Sequence, residues 1–478
     1  MVSPVNDVID ILKTFGKETE SLKQTISAQR GEISGLYRLL EKKDHDILLL
    51  KRENKELLAR LSHYEKPAKA SHNSSIAPSK ESIASRAIRR TTSLREKTGR
   101  ANGGQPGHEG VTLQPVSTPT ETNHHFSDFC SCCGDDLSRV SPQLLGVRQV
   151  VDLPEIKPVV REHRIYGKQC KCGCLNKGEF PEEARSPVCY GSNIRALTTY
   201  LNVVQCIPYE RLCEIFEDCF QVTLSQGTVG NVLKSMDKSS DKMYEEIRLR
   251  IEQSSIVGAD ETGMEVNGAL NWGWVFQTDK LTYVFHDASR GGAAIEKHFS
   301  AGLPVSTLVT DRWSPYFSLP VKDHQICLAH LLRELTYLSE LDNTQKWSSD
   351  MKTLFQETIH KRKTMNWEDI PRANLFERLD DLLQTPVDKL HQDFGCLQRS
   401  LLKHRNHIFR FLSDQRAPYD NNASERSIRI VKVKQKVSGS FRTPQGADRF
   451  TQLLSIADTA RKNGKSRFKA LGLIAQRE

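Results

Sequence analysis

No stretch of this chain is apolar for long enough to cross a membrane, and its start, "MVSPVNDVIDILKTF", has neither the basic n-region nor the unbroken apolar h-region of a secretion signal. These absences lead us to expect a soluble, cytoplasmic protein with no membrane partner. Disulfides are then unexpected, so the 12 cysteines read as metal ligands or core residues instead of a bonded framework. Acid is scarce in one further place. Residues 421–443, "NNASERSIRIVKVKQKVSGSFRT", hold one carboxylate, Glu425, followed by Arg426, Arg429, Lys432, Lys434, Lys436 and Arg442. A lone acid at the head of a basic helix must find its partners elsewhere.

The 478 residues suggest about three structural units. Lys and Arg number 68 against 59 acids, a formal charge of +9 that favours a polyanion such as nucleic acid as partner. The excess is modest, so its placement decides its meaning.

Residues 1–65 carry a heptad pattern. Ile26, Ile33, Leu40, Ile47, Asn54 and Leu61 form one seam, and Leu22, Leu36, Leu50 and Leu57 the other. Such stripes predict a coiled coil that makes the protein a homo-oligomer, with Asn54 fixing register; a single long helix packed on its own protein is the alternative. Residues 66–115 form a Ser/Ala/Pro-rich linker that ends in an arginine cluster containing Arg86, Arg89 and Arg90. It reads either as a phosphate-gripping arm or as a solvated tail.

Residues 116–190 contain Cys130 and Cys133 in a Cys-x-x-Cys pair followed by Gly134, then Cys170 and Cys172 followed by Gly173. Four thiolates suit a structural Zn²⁺, with reduced thiols in a core as the bland reading. Cys174 leaves the second half of the ligand set open. Residues 191–250 read as helices. Ser225 is the expected N-cap of a helix carrying Val229, Val232, Leu233 and Met236, and the pair resembles a helix-turn-helix that offers Lys234 to DNA; an ordinary helical hairpin fits the pattern equally well.

From Ser254 the apolar period changes from helical to alternating. "SSIVGADETG" is expected to be a strand ending in Asp260. "LNWGWVFQ" and "LTYVFHDAS" follow as strands, "GGAAIEKHFS" as a helix, "VSTLVTDRWSPY" as a strand with Asp311 at its end, and "HQICLAHLLREL" as a fifth strand running into a helix. This order predicts a mixed α/β sheet with two aspartates at neighbouring strand ends. Glu425, on a later helix laid against that sheet, can then join Asp260 and Asp311 around two hard cations, Mg²⁺ or Mn²⁺. Such a pair of ions about 3.5–4 Å apart serves in-line phosphoryl displacement. Arg429, Lys432 and Lys436 would bring DNA phosphates to the acids.

"GGQPGHEG", the cysteine pairs, "ADETG", "DRWSPY", "CLAHLLREL" and the 421–443 segment occur in the order found in transposases of insertion-sequence family sixty-six, which the chain resembles from its heptads to near its C-terminus. The resemblance implies a multidomain α/β protein with an RNase H-like catalytic domain at 251–450, a helical insertion at about 335–415 and a C-terminal basic helix at 451–478. It implies a DDE transposase with Asp260, Asp311 and Glu425 as the acidic triad. Cys327 with His330 matches a Cys-x-x-His pair of related enzymes, and Asn422 is grouped with them as support for the active site. Leu328 stands where many relatives carry tryptophan, and "KVKQKVSGSFRT" departs from the more frequent form. Double-stranded DNA, as element ends and target, is the implied substrate, with small accessory proteins of the same element as further partners. A DNA-binding regulator that no longer cuts, and a nuclease that cuts without joining, are the rival expectations.

Overall fold

The computed structural model describes residues 4–62, 67, 69, 72–74, 112–184, 186–387 and 392–476. Arg86, Arg89 and Arg90 lie outside the described residues. In chain order the elements are α1 (Pro4–Ser62), β1 (Gly167–Gln169), β2 (Leu175–Lys177), α2 (Ser192–Thr199), α3 (Tyr209–Phe220) and α4 (Gln226–Glu252). The sheet region follows as β3 (Ile256–Val266), β4 (Ala269–Gln277), β5 (Thr282–Asp287), α5 (Gly292–Glu296), β6 (Leu303–Thr310), α6 (Ser314–Ser318) and β7 (Val321–Ile326). Helices complete the chain: α7 (Leu328–Leu341), α8 (Lys346–Thr364), α9 (Arg372–Gln384), α10 (Gln392–Lys403), α11 (Asn422–Ser438), α12 (Pro444–Lys462) and α13 (Arg467–Ala475).

The chain divides into two compact units, Met1–Arg90 with His330–His404, and Thr91–Ala329 with Arg405–Glu478. In the first, the 59 residues of α1 extend about 88 Å at ~1.5 Å per residue. Both of its apolar seams face solvent: Leu22, Ile26, Ile33, Leu36, Leu40, Ile47, Leu50 and Leu57 are all exposed. The helices that follow have their own core, in which Leu354, Phe355, Leu375, Leu379 and Phe394 are buried. Trp347 donates its indole N–H to the Leu382 carbonyl at 2.8 Å, which ties α8 to α9.

The second unit is built on a five-stranded sheet of order β5-β4-β3-β6-β7. Strands β3, β4 and β5 form an antiparallel meander, while β6 and β7 add in parallel. Asn267 and Gly268, with φ of 51° and 74°, make the tight turn between β3 and β4. That Asn-Gly pair is a turn whose twist matches a hairpin, and it sets where β3 ends. Asp260 therefore does not end its strand, as the sequence suggested: β3 continues six residues further to Val266, because β4 pairs with it along that whole length.

Alternation along the strands sorts residues onto two faces. Glu261, Trp272, Trp274 and Phe276 share one face, where Trp274 packs on Phe285 and Tyr316. Each such buried aromatic contributes about 1.5–3 kcal/mol. Gly258, Asp260, Gly273 and Gln277 point to the other face, along which α11 lies. α12 packs against β5 and α4. The segment 451–478 is expected as one basic helix; its described residues, 451–476, are instead the rear of α12 and a separate α13, interrupted at Gly464 with φ +67°. α12 is largely core, with Leu453, Leu454, Ile456 and Ala457 buried.

Two regions precede the sheet. Among the described residues from 112 to 190 none is buried, and the only strands are the short antiparallel pair β1–β2. Then α3 and α4 are joined through Gln221, whose left-handed φ of 54° closes α3, and Ser225, whose side chain accepts from the Thr228 N–H as the N-cap of α4. Val229, Val232, Leu233 and Met236 are buried, and Lys234 is exposed.

Candidate active site

The register of β3 on β6 brings two of the three acids level. Gly258 pairs with Val309 as the last parallel pair, and two residues further along each chain stand Asp260 and Asp311. Neighbouring strands lie about 4.8 Å apart, so the two carboxylates emerge side by side. Glu425 enters from the first turn of α11 across the same face as Asp260. Burial holds the Asp260 carboxyl well above its usual range, and the negative charges of Glu261, Asp311 and Glu425 push it further. Asp311 is raised to about 6, first by burial and then by Glu261, against the Trp313 N–H and the cations Arg290 and Arg312. Among the described residues no three His, Cys, Asp or Glu side chains close around one point as metal ligands. The triad is gathered electrostatically but not drawn into a cage.

The start of α11 is pinned to β3 by a chain of buried bonds. Asn421 donates its side-chain amide to the Ala259 carbonyl at 2.7 Å and its backbone N–H to the Cys327 sulfur at 3.2 Å. Ser424 donates to the Asn421 Oδ1 at 2.6 Å and accepts from Gln277 at 3.2 Å. Gly258 makes this approach possible: a Cβ there would stand 2.5 Å from Ser424 Oγ and 2.6 Å from Gln277 Nε2. The asparagine whose side chain supports the site is thus Asn421. The half-buried Asn422 directs its backbone N–H to Asp420. Cys327 is fully buried and contributes its sulfur, while His330 sits half-buried in the first turn of α7.

On the opposite face a second assembly bears on the same acids. Glu261 is buried beside Asp260 and accepts from Arg290 at 2.7 Å and from the Tyr316 hydroxyl. The Arg290 guanidinium lies over the rings of Trp313 at 4.0 Å and Trp272 at 4.6 Å, a geometry that fixes a planar cation. Trp313 also donates its backbone N–H to Asp311 at 2.8 Å. The sequence reading missed Glu261, Arg290 and Asn421. "ADETG" and "DRWSPY" marked the neighbourhood, but the partner arginine lies on a loop with no signal of its own.

The basic residues of α11 divide. Arg429 and Lys436 are exposed, and Arg429 reaches back to Glu425 at 3.7 Å. Lys432 is half-buried, with its ammonium on the Gly263 carbonyl. Lys434 is buried, donates to the Asn202 carbonyl at 3.1 Å, and is lowered to about 8 by burial. Only part of the helix expected to face phosphates is therefore presented to solvent.

The cysteines form two similar turns. Gly134 N–H returns to the Cys130 carbonyl and Gly173 N–H to the Cys170 carbonyl, with φ of +78° and +87° at the two glycines. Amide N–H groups of Cys133 and Cys132 lower the Cys130 thiol to about 7, and the Cys172 N–H lowers Cys170. Each turn thus favours a thiolate. The two turns are not drawn into one ligand set.

No curated protein matches the chain. A family of unknown function, DUF6444, matches residues 18–114. The family described as Transposase IS66 family matches residues 187–449, more than half of the chain and inclusive of Asp260, Asp311 and Glu425.

Proposed function

The chain belongs to the IS66 family of transposases, and from that premise we propose that it binds the terminal inverted repeats of an insertion element, cuts phosphodiester bonds there and joins the ends to target DNA. The observation that carries this reading is that Asp311 and Glu425 both stand close enough to the buried Asp260 for their charges to raise its carboxyl. The strand order, a three-stranded meander extended in parallel by two strands, supports an RNase H-like core.

The donor chemistry fits divalent cations. Three carboxylates that repel one another are hard oxygen ligands, and a cation would turn that repulsion into attraction. Asp260, Asp311 and Glu425 would hold Mg²⁺ or Mn²⁺, which supplies Lewis-acid stabilisation of charge on the phosphate and a more acidic water or 3′-hydroxyl. Asp260 is placed by the rigid middle of β3. Asp311 is oriented by the Trp313 N–H, and Glu425 by the Asn421 strut beneath it. Arg290, clamped by two tryptophans, moderates the negative field from the side of Glu261. Arg429 and Lys436 are available to phosphates, together with Lys234 on α4 if α3–α4 acts as a helix-turn-helix.

Outside the sheet, Cys130, Cys133, Cys170 and Cys172 would hold a structural Zn²⁺, since both turns stabilise thiolates. The exposed seams of α1 support a parallel coiled coil that pairs two copies across two element ends. Arg86, Arg89 and Arg90 would add a flexible phosphate grip, and accessory proteins of the element would join the complex. The test incubates purified protein with a labelled element end and plasmid DNA, with and without Mg²⁺, comparing the parent with Glu425→Gln. Metal-dependent joined product from the parent alone supports the proposal. End binding without cutting or joining, even with accessory proteins supplied, would replace it with a DNA-binding regulator; cutting without joining would replace it with a nuclease.

A further inference from the structure

Beside the carboxylates, the second unit contains a cavity of about 1270 Å³ walled by the start of β3, the β4–β5 turn, α11, α12 and α13. Its lining includes seven basic side chains against three acids. Lys280 comes from the turn, Arg426 and Arg429 from α11, Arg461 and Lys462 from α12, and Arg467 from α13. Arg461 and Arg467 share Asp458, at 2.6 and 3.8 Å. Lys462 spends its ammonium protons on neutral oxygens, those of Gln277, Thr278 and Leu281, at 2.7 to 2.8 Å. Its charge is fixed in the wall without an acid as hydrogen-bond partner. Among the described residues Lys280 and Arg426 make no ion pair.

We infer that this cavity holds the sugar-phosphate backbone of a short single-stranded DNA segment as it approaches the carboxylate site. The inference rests on the proposal that DNA is the substrate. Three features select this occupant. Cations crowd together here: Lys462 is lowered to about 8, chiefly by burial and also by the neighbouring charges of Arg461 and Arg426, against Asp458 and Asp279. A polyanion relieves that repulsion. The volume exceeds the ~300–1,000 Å³ of small-ligand pockets and suits a run of nucleotides. Gly258 and Asn421 line the cavity, so it opens beside the residues that seat Asp260 and Glu425. The lining has no aromatic side chain on which bases could stack. Contact is therefore with phosphates, and binding is indifferent to base sequence.

The test measures anisotropy of a short labelled single strand with full-length protein across a salt series, comparing the parent with Lys280→Gln/Arg426→Gln. Both side chains are exposed, and far-UV circular dichroism with a thermal melt checks the fold. The double variant should bind on the order of tenfold more weakly at low salt, with the salt slope reduced by about 0.7 per lost cation, for two base compositions alike. Arg426→Glu serves as a second variant and should weaken binding further. An unchanged slope and affinity in both variants would overturn the inference. Displacement by inorganic pyrophosphate at concentrations comparable with the oligonucleotide would also overturn it, by assigning the cavity to a free phosphate. Asp260→Asn, run in parallel, should retain the parent slope. A parent that never cuts, alongside a double variant that still loses binding, would sink the catalytic proposal and leave the cavity assignment standing.

Discussion

Two neighbouring regions of the second unit are ordered by different means. The sheet buries Trp274, Phe276, Tyr283, Phe285 and Phe299 almost completely, whereas residues 112–190 bury no described residue although Leu144, Leu145, Val150, Val159 and Val160 lie within them. In the sheet, packing places the chemistry: Asp260 is where it is because β4 and α11 leave it nowhere else to go. In the cysteine-rich stretch only local turns are set, each with its thiols and glycine. Packing order comes from apolar burial and needs no ligand, while order built from turns needs an external centre to bring the turns together.

The largest effect should come from the packed region. Asp260→Asn removes one charge from the triad and should lower strand cleavage on the order of a thousandfold or more, with element-end binding within a few fold. Gel assays of cutting and binding on one preparation decide it; loss of both together would mean that the sheet and the DNA-gripping parts are not separable. Next in size, the purified chain should carry one zinc by elemental analysis, and Cys130→Ser should lose it while the thermal transition of the sheet stays in place. A sheet that melts with the zinc would erase the contrast between the two regions.

Gly258→Ala sharpens the comparison by disturbing packing alone. The added methyl meets Ser424 and Gln277, which are buried and bonded, so α11 must shift. The expected cost is about 1–3 kcal/mol, a fall in melting temperature of about 2–4 °C per kcal/mol, with reduced cutting. An unchanged melt would show that α11 seats less tightly than its bonds indicate.

The smallest effect concerns pH. The folded Asp311 carboxyl, near 6, lies above its ordinary 3.8, so the folded state binds the proton more tightly than the unfolded one. Its contribution to stability is complete below pH 3.8, is lost as pH rises toward 6, and is flat above that. Divalent cations compete with that proton. Added Mg²⁺ should therefore raise the melting temperature above pH 6 and do little below pH 5, and a pH-independent shift would remove Asp311 from the metal site.

Much of the sheet was readable in advance because alternating β-branched and aromatic residues declare strands. The length of β3 was misjudged because the acids in "ADETG" look like an ending, although β4 supplies partners to Val266. Asp260, Asp311 and Glu425 were named from spaced motifs. Their supports were harder to see: Arg290 carries no local signature, and Trp313 and Tyr316 explain "DRWSPY" only once Glu261 and Arg290 stand beside them. The basic run after Glu425 looked uniform, yet helical geometry turns Lys434 inward and ties Lys432 to a carbonyl while Arg426 faces a cavity walled also by β3, the β4–β5 turn, α12 and α13.

The sequence by itself determined the family, the order of strands and helices, and which residue types could do metal-assisted phosphoryl chemistry, because periodicity and motif order are local properties of the chain. The tertiary structure alone decided that Asp260 and Asp311 stand level, that Asn421 holds Glu425 in reach, and that cations from β4–β5, α11, α12 and α13 surround one cavity. Those facts depend on register and on helices crossing a sheet, which bring together residues that no local pattern connects.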